Sequence, residues 1–230
     1  MLGSCDNEKF ILSLTEPLIR SSQRRQIVIE GQAVTASEID GQTPYIFNLY
    51  DSTNRLVLSQ KLIGVKNNEI SEAINLIKTV DLRGCILTAD ALNTQKKLAS
   101  ELINNKKCDY CLALKENHKG LYEAVRLLFD LEQGVQKRKE LPGSKCWESS
   151  VYETVDKAHG RYEEIKVRVL PANLLDKEVL TEWEGLKQGI LIEATTKAAS
   201  TKSADLSIDK MYFISSLAFE PSCSTDVAKK

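Results

Sequence analysis

The chain has 230 residues, and its 31 basic and 32 acidic side chains leave a formal charge of −1. This length can bury a hydrophobic core in one domain, and 42% apolar with 27% charged residues exclude a disordered or fibrous protein. No apolar run approaches the ~20 residues of a membrane span, and the polar start, MLGSCDNEKF, is unlike a secretory signal. We therefore expect a cytoplasmic protein without a membrane partner, in which any nucleic-acid contact comes from a local basic patch.

Six cysteines are scattered along the chain, which is not the pattern of a small disulfide-bonded scaffold. Cys108 and Cys111 form one CxxC, a weak signal for zinc without a second ligand pair. The run YCLAL that follows is typical of a buried strand, and free cysteine is a frequent core residue. We therefore interpret both thiols as core side chains.

The first predicted elements are strands. Residues 1–25 have no regular apolar period and are predicted to be a lead-in segment. Short runs rich in β-branched and aromatic residues at 27–30, 44–50 and 55–64 predict three strands. The turn-forming sequence DSTN between the last two predicts an antiparallel hairpin.

The hydrophobic period then alternates between that of helices and that of buried strands. Helices are predicted at 70–77, 95–103 and 121–128, and strands at 84–91 and 108–115. The order β-β-β-α-β-α-β-α over residues 26–131 predicts an α/β domain, a mixed sheet flanked by helices.

Residues 132–230 are predicted to be a β-rich region. The segments SSVYETVDKAHG, RYEEIKVRVL and DKMYFISSL are typical of strands. One short helix is predicted between Pro171 and Leu186, and residues 195–205 are predicted to be a loop.

Two carboxylates stand at strand ends. Glu30 ends the run IVIE, and Asp90 ends CILTAD. If these strands are neighbours, a rigid sheet would fix two acids where they can hold a divalent cation. Periodicity alone favours the simpler interpretation, in which such an acid is a solvated loop residue or, for Asp90, caps the following helix.

The segment HGRYE and a group of lysines are further candidates. His159, Arg161 and Glu163 could serve acid–base or metal chemistry, or form a polar turn with an exposed ion pair of little energetic value. Lysines are frequent in the sequence around Asp90, as expected for a phosphodiester substrate or for a solvated helix face: Lys96, Lys97, Lys106, Lys107, Lys115 and Lys119.

Several motifs in consistent order, spread over residues 24–217, resemble one known family. They are IVIEG, VKNNEIS, TADALNTQ, YCLALKEN, HGRYE and MYFISSL. Together they resemble the H-repeat-associated transposases of bacterial insertion sequences, which are DDE transposases with an RNase H-like core. The resemblance implies that residues 26–131 form an RNase H-like catalytic core and that 132–230 are a β-rich insertion.

The resemblance also implies roles for individual residues. Glu30 and Asp90 correspond to the first two metal-binding acids, although the family has Asp where Glu30 stands. Glu163 is a motif carboxylate that could substitute for the third acid. Asn93 and His118 stand where the family usually has His and Gln. Contacts with DNA are implied for a polar set of motif residues: Gln95, Lys115, Asn117 and Arg161.

The implied function is cleavage and joining of DNA at insertion-sequence ends with Mg²⁺ or Mn²⁺, by a chain that could form a homo-oligomer. The Trp–x–Ile–Glu–Asn helix expected after the YFISSL strand is not found, nor is the family's amino-terminal domain, so we expect a truncated copy with impaired catalysis. One alternative is an active metal-dependent nuclease that uses Glu30, Asp90 and Glu163. Another is a folded relic without a specific function.

Overall fold

The computed structural model describes residues 24–34, 43–63, 69–137, 150–158, 161–198 and 207–219. Within them lie the strands β1 (Gln26–Ala33), β2 (Tyr45–Asp51), β3 (Leu56–Ile63), β4 (Ile86–Ala89), β5 (Asp109–Leu114), β6 (Ser150–Ala158), β7 (Arg161–Pro171), β8 (Gln188–Ala198) and β9 (Ser207–Ser215). The α-helices are α1 (Glu69–Lys78), α2 (Lys96–Ser100), α3 (Lys119–Lys137) and α4 (Lys177–Glu182). A π-helical turn, Glu101–Lys106, continues α2, and 3₁₀ turns span Glu116–His118 and Ala172–Leu174.

All nine strands join one mixed sheet in the spatial order β3-β2-β1-β4-β5-β9-β8-β7-β6. Strands β1, β2 and β3 pair antiparallel, which confirms the predicted hairpin, and β1, β4 and β5 pair parallel. The parallel pairs require crossover connections, and α1 and α2 supply them. The α/β class and the element order predicted over 26–131 are therefore confirmed. Helix α3 continues through residue 131 to Lys137, and the predicted domain division there stays a prediction.

The β-rich carboxy-terminal part extends the same sheet, because β9 pairs antiparallel with β5. Strand β8 was not among the predicted strands, and the predicted loop is wrong for Thr195–Ala198, which belongs to β8. These small and polar residues have no apolar alternation, but β8 pairs with β7 on one side and with β9 on the other. Pairing with two neighbours keeps the segment extended where its side chains give no strand signal.

Side chains on the two faces of the sheet join different clusters. The face that carries Ile27, Ile29, Leu87 and Ala89 packs against α1, α2 and α3, and we call it the helical face. The opposite face has a smaller cluster drawn, within the described residues, from strands and Phe219. Successive residues of a strand alternate between the two faces of the sheet. A residue next to one that packs on the helical face therefore points to the opposite face.

The CxxC cysteines illustrate this alternation. Cys108 belongs to the helical-face cluster and Cys111 to the cluster on the opposite face. Burial raises the pKa of each thiol to about 12. Thiols that lie in clusters on opposite faces of the sheet do not converge on a metal, which agrees with their interpretation as core residues.

A buried ion cluster joins α3 to the carboxy-terminal strands. Arg168 of β7 is 3% exposed, and its guanidinium donates to Glu132 Oε2 at 2.8 Å and to Glu193 Oε2 at 3.1 Å. Its guanidinium carbon also lies 5.8 Å from the ring centroid of Phe129. Since Glu132 is 2% exposed, its charge depends on Arg168 for compensation that water does not provide.

We expect Arg168→Met to lower the free energy of unfolding by about 3–5 kcal/mol, because it removes the cation from a buried pair. Urea denaturation would measure the loss. The control is Lys96→Met, which removes an exposed pair with Glu182 and should change stability by at most about 1 kcal/mol. Equal effects of the two substitutions would contradict the structural role given to Arg168.

Candidate metal and nucleic-acid site

Glu30 lies inside β1, which continues to Ala33, so the prediction that it ends its strand is wrong; Asp90 directly follows β4. Strands β1 and β4 are parallel, and their last paired residues are Ile29 and Ala89, so Glu30 and Asp90 are each the next residue after this pair. Neighbouring strands are separated by about 5 Å, which sets the scale of the distance between the two Cα atoms. The prediction that these strands are neighbours is therefore confirmed.

Glu30 belongs to a polar row on the face opposite the helices. Ile29 packs into the helical-face cluster, so Glu30 points to the other side of the sheet. Glu30 pairs with Asn48 on the neighbouring strand β2, and Asn48 pairs with Gln60 on β3. Gln60 Nε2 donates to Asn48 Oδ1 at 2.8 Å. Glu30 is half-buried, while Asp90 is exposed.

Asp90 begins a tight turn that Asn93 closes. The backbone N–H and the side-chain Nδ2 of Asn93 both donate to Asp90 Oδ1, at 3.0 and 2.9 Å. Oδ2 of Asp90 accepts no hydrogen bond from any residue that the structure describes. Helix α2 begins later, at Lys96 with Gln95 as its N-cap, so the interpretation of Asp90 as the cap of that helix is wrong.

Asn93 holds this geometry at a cost. Asn93 is 3% exposed, and its Oδ1 is buried without a hydrogen-bond partner. An unsatisfied buried acceptor costs about 1–3 kcal/mol. Rotating the amide by half a turn would direct its oxygen at the carboxylate oxygen of Asp90. The observed orientation is therefore the one in which the amide can donate a hydrogen bond to Asp90.

The backbone of the same turn is anchored by Thr94 and His118. The Thr94 hydroxyl lies 3.0 Å from Asp90 O and 2.6 Å from Ala113 O, so its proton is shared between two carbonyls. His118 Nε2 lies 2.6 Å from Thr94 O, which requires the N–H on Nε2 because a carbonyl cannot donate. The imidazole also stacks edge-on against buried Trp183, with ring centroids 5.1 Å apart. The turn is thereby fixed to β5.

Three of the predicted DNA-contacting residues lie near this turn. Lys115 follows β5 directly and is exposed. Asn117 is exposed at the residue level, but its Nδ2 donates to Ala91 O at 2.6 Å. Gln95 is half-buried, and its Nε2 lies 3.3 Å from Leu92 O. Asn117 and Gln95 contact backbone carbonyls, whereas Lys115 is exposed and carries an ammonium group, so Lys115 is the residue of the three that is available to contact a phosphate.

The other two predicted residues lie elsewhere. Strands β5, β9 and β8 separate β4 from β7, a distance of about 19 Å across the sheet. The row of paired residues through Ala89 crosses β7 at Leu170. Glu163 lies a further seven positions along that strand, roughly 23 Å away. The register therefore does not bring Arg161 or Glu163 to the site, and within the described residues no three Asp, Glu, His or Cys side chains form a metal-binding group.

The lysines that the sequence groups around Asp90 are divided by the fold. Lys106 donates to the carbonyls of Lys78 and Val80, at 2.8 and 2.9 Å, and Lys107 precedes the start of β5. Both therefore lie toward the opposite edge of the sheet from Asp90, which corrects the expectation from the sequence. Lys97, like Lys115, is exposed and stays on the Asp90 side.

The chain is similar to several curated bacterial proteins. It is 29% identical over 175 residues to the "H repeat-associated putative transposase YhhI" of Escherichia coli K12, which covers 75% of this chain and 43% of the relative. It is 29% identical over 196 residues to "Putative transposase YncI" of Escherichia coli O157:H7, with 83% and 46% covered. An "Uncharacterized protein in dhlA 3'region" of Xanthobacter autotrophicus is 26% identical over 201 residues, with 85% and 61% covered.

The resemblance to the H repeat-associated transposases that the motifs predict is therefore confirmed, because relatives with this name match much of the chain at about 30% identity. The chain spans about half the length of these curated relatives, 43%, 46% and 61% of the three. No family model and no solved structure matches the chain. Among the described residues, no helix has the length and apolar character that crossing a membrane requires.

Asn93 and Thr94 carry contacts that the sequence analysis did not assign. An aspartate followed three residues later by asparagine is a recognisable turn signal, since both side chains bond to nearby backbone. The signal occurs at 51–54 and at 90–93. It could have predicted the closed turn, but not the burial of Asn93, which is a property of the folded chain.

We expect Thr94→Val to lower the free energy of unfolding by about 1–3 kcal/mol, because it removes the hydroxyl shared by the carbonyls of Asp90 and Ala113 while nearly keeping the side-chain shape. Chemical denaturation would measure the change. Thr181→Val is the matched control, since the hydroxyl of Thr181 makes one exposed bond to Glu178 O. A Thr94→Val protein as stable as the wild type would contradict the anchoring role of Thr94.

Proposed function

We propose that this chain is the metal- and DNA-binding part of a transposase that cuts and joins insertion-sequence DNA. The observation that carries the proposal is the parallel pairing of β1 with β4, because Glu30 and Asp90 directly follow the paired residues Ile29 and Ala89. The carboxyl ends of parallel strands are the edge where α/β sheets bind ligands. Similarity to proteins named as putative transposases supports the same reaction class.

An RNase H-like core is part of the proposal. The strand order β3-β2-β1-β4-β5 supports it, with three antiparallel strands followed by two strands parallel to β1. In this assignment the strands from β9 to β6 extend the core sheet beyond β5 rather than forming a separate layer. Glu30 then lies on β1 and Asp90 directly after β4, which are two inner strands of the five-stranded core sheet.

The donor set fits Mg²⁺ or Mn²⁺. Both acids provide oxygen, and Mg²⁺ is commonly bound through one or two carboxylates together with water and substrate phosphates. Oδ2 of Asp90 is the acceptor left available on an exposed side chain, and Glu30 would supply the second carboxylate. A bound ion of this kind activates a water nucleophile and stabilises the leaving oxygen of a phosphodiester.

The neighbouring cations support a polyanionic substrate. DNA must approach two acids, so charge compensation from nearby side chains is needed. Exposed Lys115 and Lys97 flank the Asp90 turn, and Gln95 and Asn117 line it. Lysine contacts of this kind position the DNA backbone without reading its sequence.

DNA binding without cleavage is a second candidate. Glu30 favours it, because the family has aspartate at this position and the additional methylene moves the carboxylate by more than 1 Å, about one C–C bond. Metal-dependent sites require placement within about 0.5 Å. The chain would then bind insertion-sequence DNA, with Asp90 holding a metal weakly.

We expect Asp90→Ala to abolish Mg²⁺- or Mn²⁺-dependent nicking of a plasmid that carries the DNA flanking the coding sequence. Asp81→Ala is the control, since Asp81 is an exposed acid paired with Arg83 away from the site. Nicking that survives Asp90→Ala would overturn the metal-site assignment. DNA binding without nicking by the wild-type chain would favour the second candidate.

We expect Lys115→Ala to weaken DNA binding and to reduce the slope of log K against log salt concentration by about 1. Fluorescence anisotropy with a labelled duplex at several salt concentrations would measure it. Lys187→Ala is the control, because Lys187 is exposed near the amino-terminal end of β8. An unchanged slope for Lys115→Ala would exclude Lys115 from the interface.

A further inference from the structure

We propose that Asn93 is the positioning residue of the candidate metal site, because it occupies Asp90 Oδ1 with two hydrogen bonds and leaves Oδ2 as the oxygen presented to a cation. The inference rests on the proposed function. It concerns a residue at which this chain departs from the resemblance described above, since asparagine stands there instead of histidine. Its support is the geometry of the turn and a second, similar turn in the same chain.

The second turn is formed by Asp51 and Asn54. Asn54 N donates to Asp51 Oδ1 at 3.0 Å, and Asn54 Nδ2 donates to Asp51 Oδ2 at 2.9 Å. Arg25 also binds Oδ2, with its nearest nitrogen at 2.6 Å, and Asp51 is 0% exposed. Burial alone would raise the pKa of Asp51, but the hydrogen bonds from Asn54 and Arg25 outweigh it and lower the pKa.

In both turns the asparagine follows the aspartate by three residues, but the carboxylate of Asp51 is buried and that of Asp90 is exposed. At Asp51 the donors of Asn54 reach both oxygens and an arginine completes the set, so the carboxylate is closed inside the fold. At Asp90 both donors of Asn93 converge on Oδ1, and the carboxylate is exposed. The first arrangement neutralises an acid within the fold. The second holds an acid in one orientation while keeping an oxygen available.

The burial of Asn93 indicates whether its amide stabilises the fold or orients Asp90. Its amide donates to Asp90 while its own Oδ1 stays unsatisfied, although the residue is 3% exposed. A turn needed only for stability could use an apolar side chain here and avoid the unsatisfied acceptor. The amide is therefore explained by what it does to Asp90. Partners that orient a metal ligand typically account for 10–100-fold in metal affinity.

The test is Mn²⁺ binding to the full chain, measured by the loss of the free-ion electron paramagnetic resonance signal. We expect Asn93→Ala and Asn93→Leu to weaken the Asp90-dependent Mn²⁺ affinity by 10-fold or more. Asn93→Leu has no unsatisfied acceptor, so its urea midpoint should stay equal or rise while its affinity falls. A residue that acts only through stability would not separate the two measurements.

Asn54→Ala is the matched control. It removes the same amide from the same type of turn at Asp51, so it should lower the urea midpoint and leave Mn²⁺ affinity unchanged. Asp90→Ala defines which part of the binding belongs to the site. The backbone N–H of residue 93 remains in every variant, so loss of the amide tests that group alone.

The outcomes are distinguishable. If wild type binds Mn²⁺, Asp90→Ala loses the binding and both Asn93 variants weaken it, the proposal is supported. If both Asn93 variants bind as tightly as wild type while Asp90→Ala does not bind, the positioning role is overturned and the proposed function stands. If Asp90→Ala binds Mn²⁺ like wild type, the proposed metal site fails and the positioning role fails with it.

Discussion

The parallel pairing of β1 with β4 is the constraint on which the candidate site depends. It brings together residues far apart in the chain, and a shift by one residue would move every side chain of one strand to the other face. The register is fixed because Ile27, Ile29, Leu87 and Ala89 all pack into one buried cluster beneath the helices. Hydrophobic packing on one face thus determines the position of Glu30 on the other.

A second level of organisation connects the two halves of the sheet. Strand β9 pairs with β5, so the last described strand contacts the centre of the sheet and not its edge. On the helical face, Arg168 ties β7 to α3 through Glu132 and Glu193. Backbone pairing and a buried ion cluster therefore couple the carboxy-terminal strands to the strand that supports the Asp90 turn.

Polar side chains have different roles at the two edges of the sheet. At the amino-terminal edge of the parallel strands they are closed by partners, as when Arg24 donates to Asp109 and to the carbonyls of Gly84 and Cys85. At the carboxyl-terminal edge, hydrogen bonds hold the backbone of a turn and leave a carboxylate exposed. The first arrangement stabilises the fold, and the second leaves an acid available for binding.

Apolar periods and ordered motifs are local properties, and they were enough to predict the α/β class, the hairpin, the core role of Cys108 and Cys111 and the similarity to transposases. Tertiary packing was needed to show that β1, which carries Glu30, and β4, which precedes Asp90, are neighbours while Glu163 is remote, since strand order depends on packing between distant segments. It also revealed β8, whose polar half is extended by pairing on both sides, and the burial of Asn93.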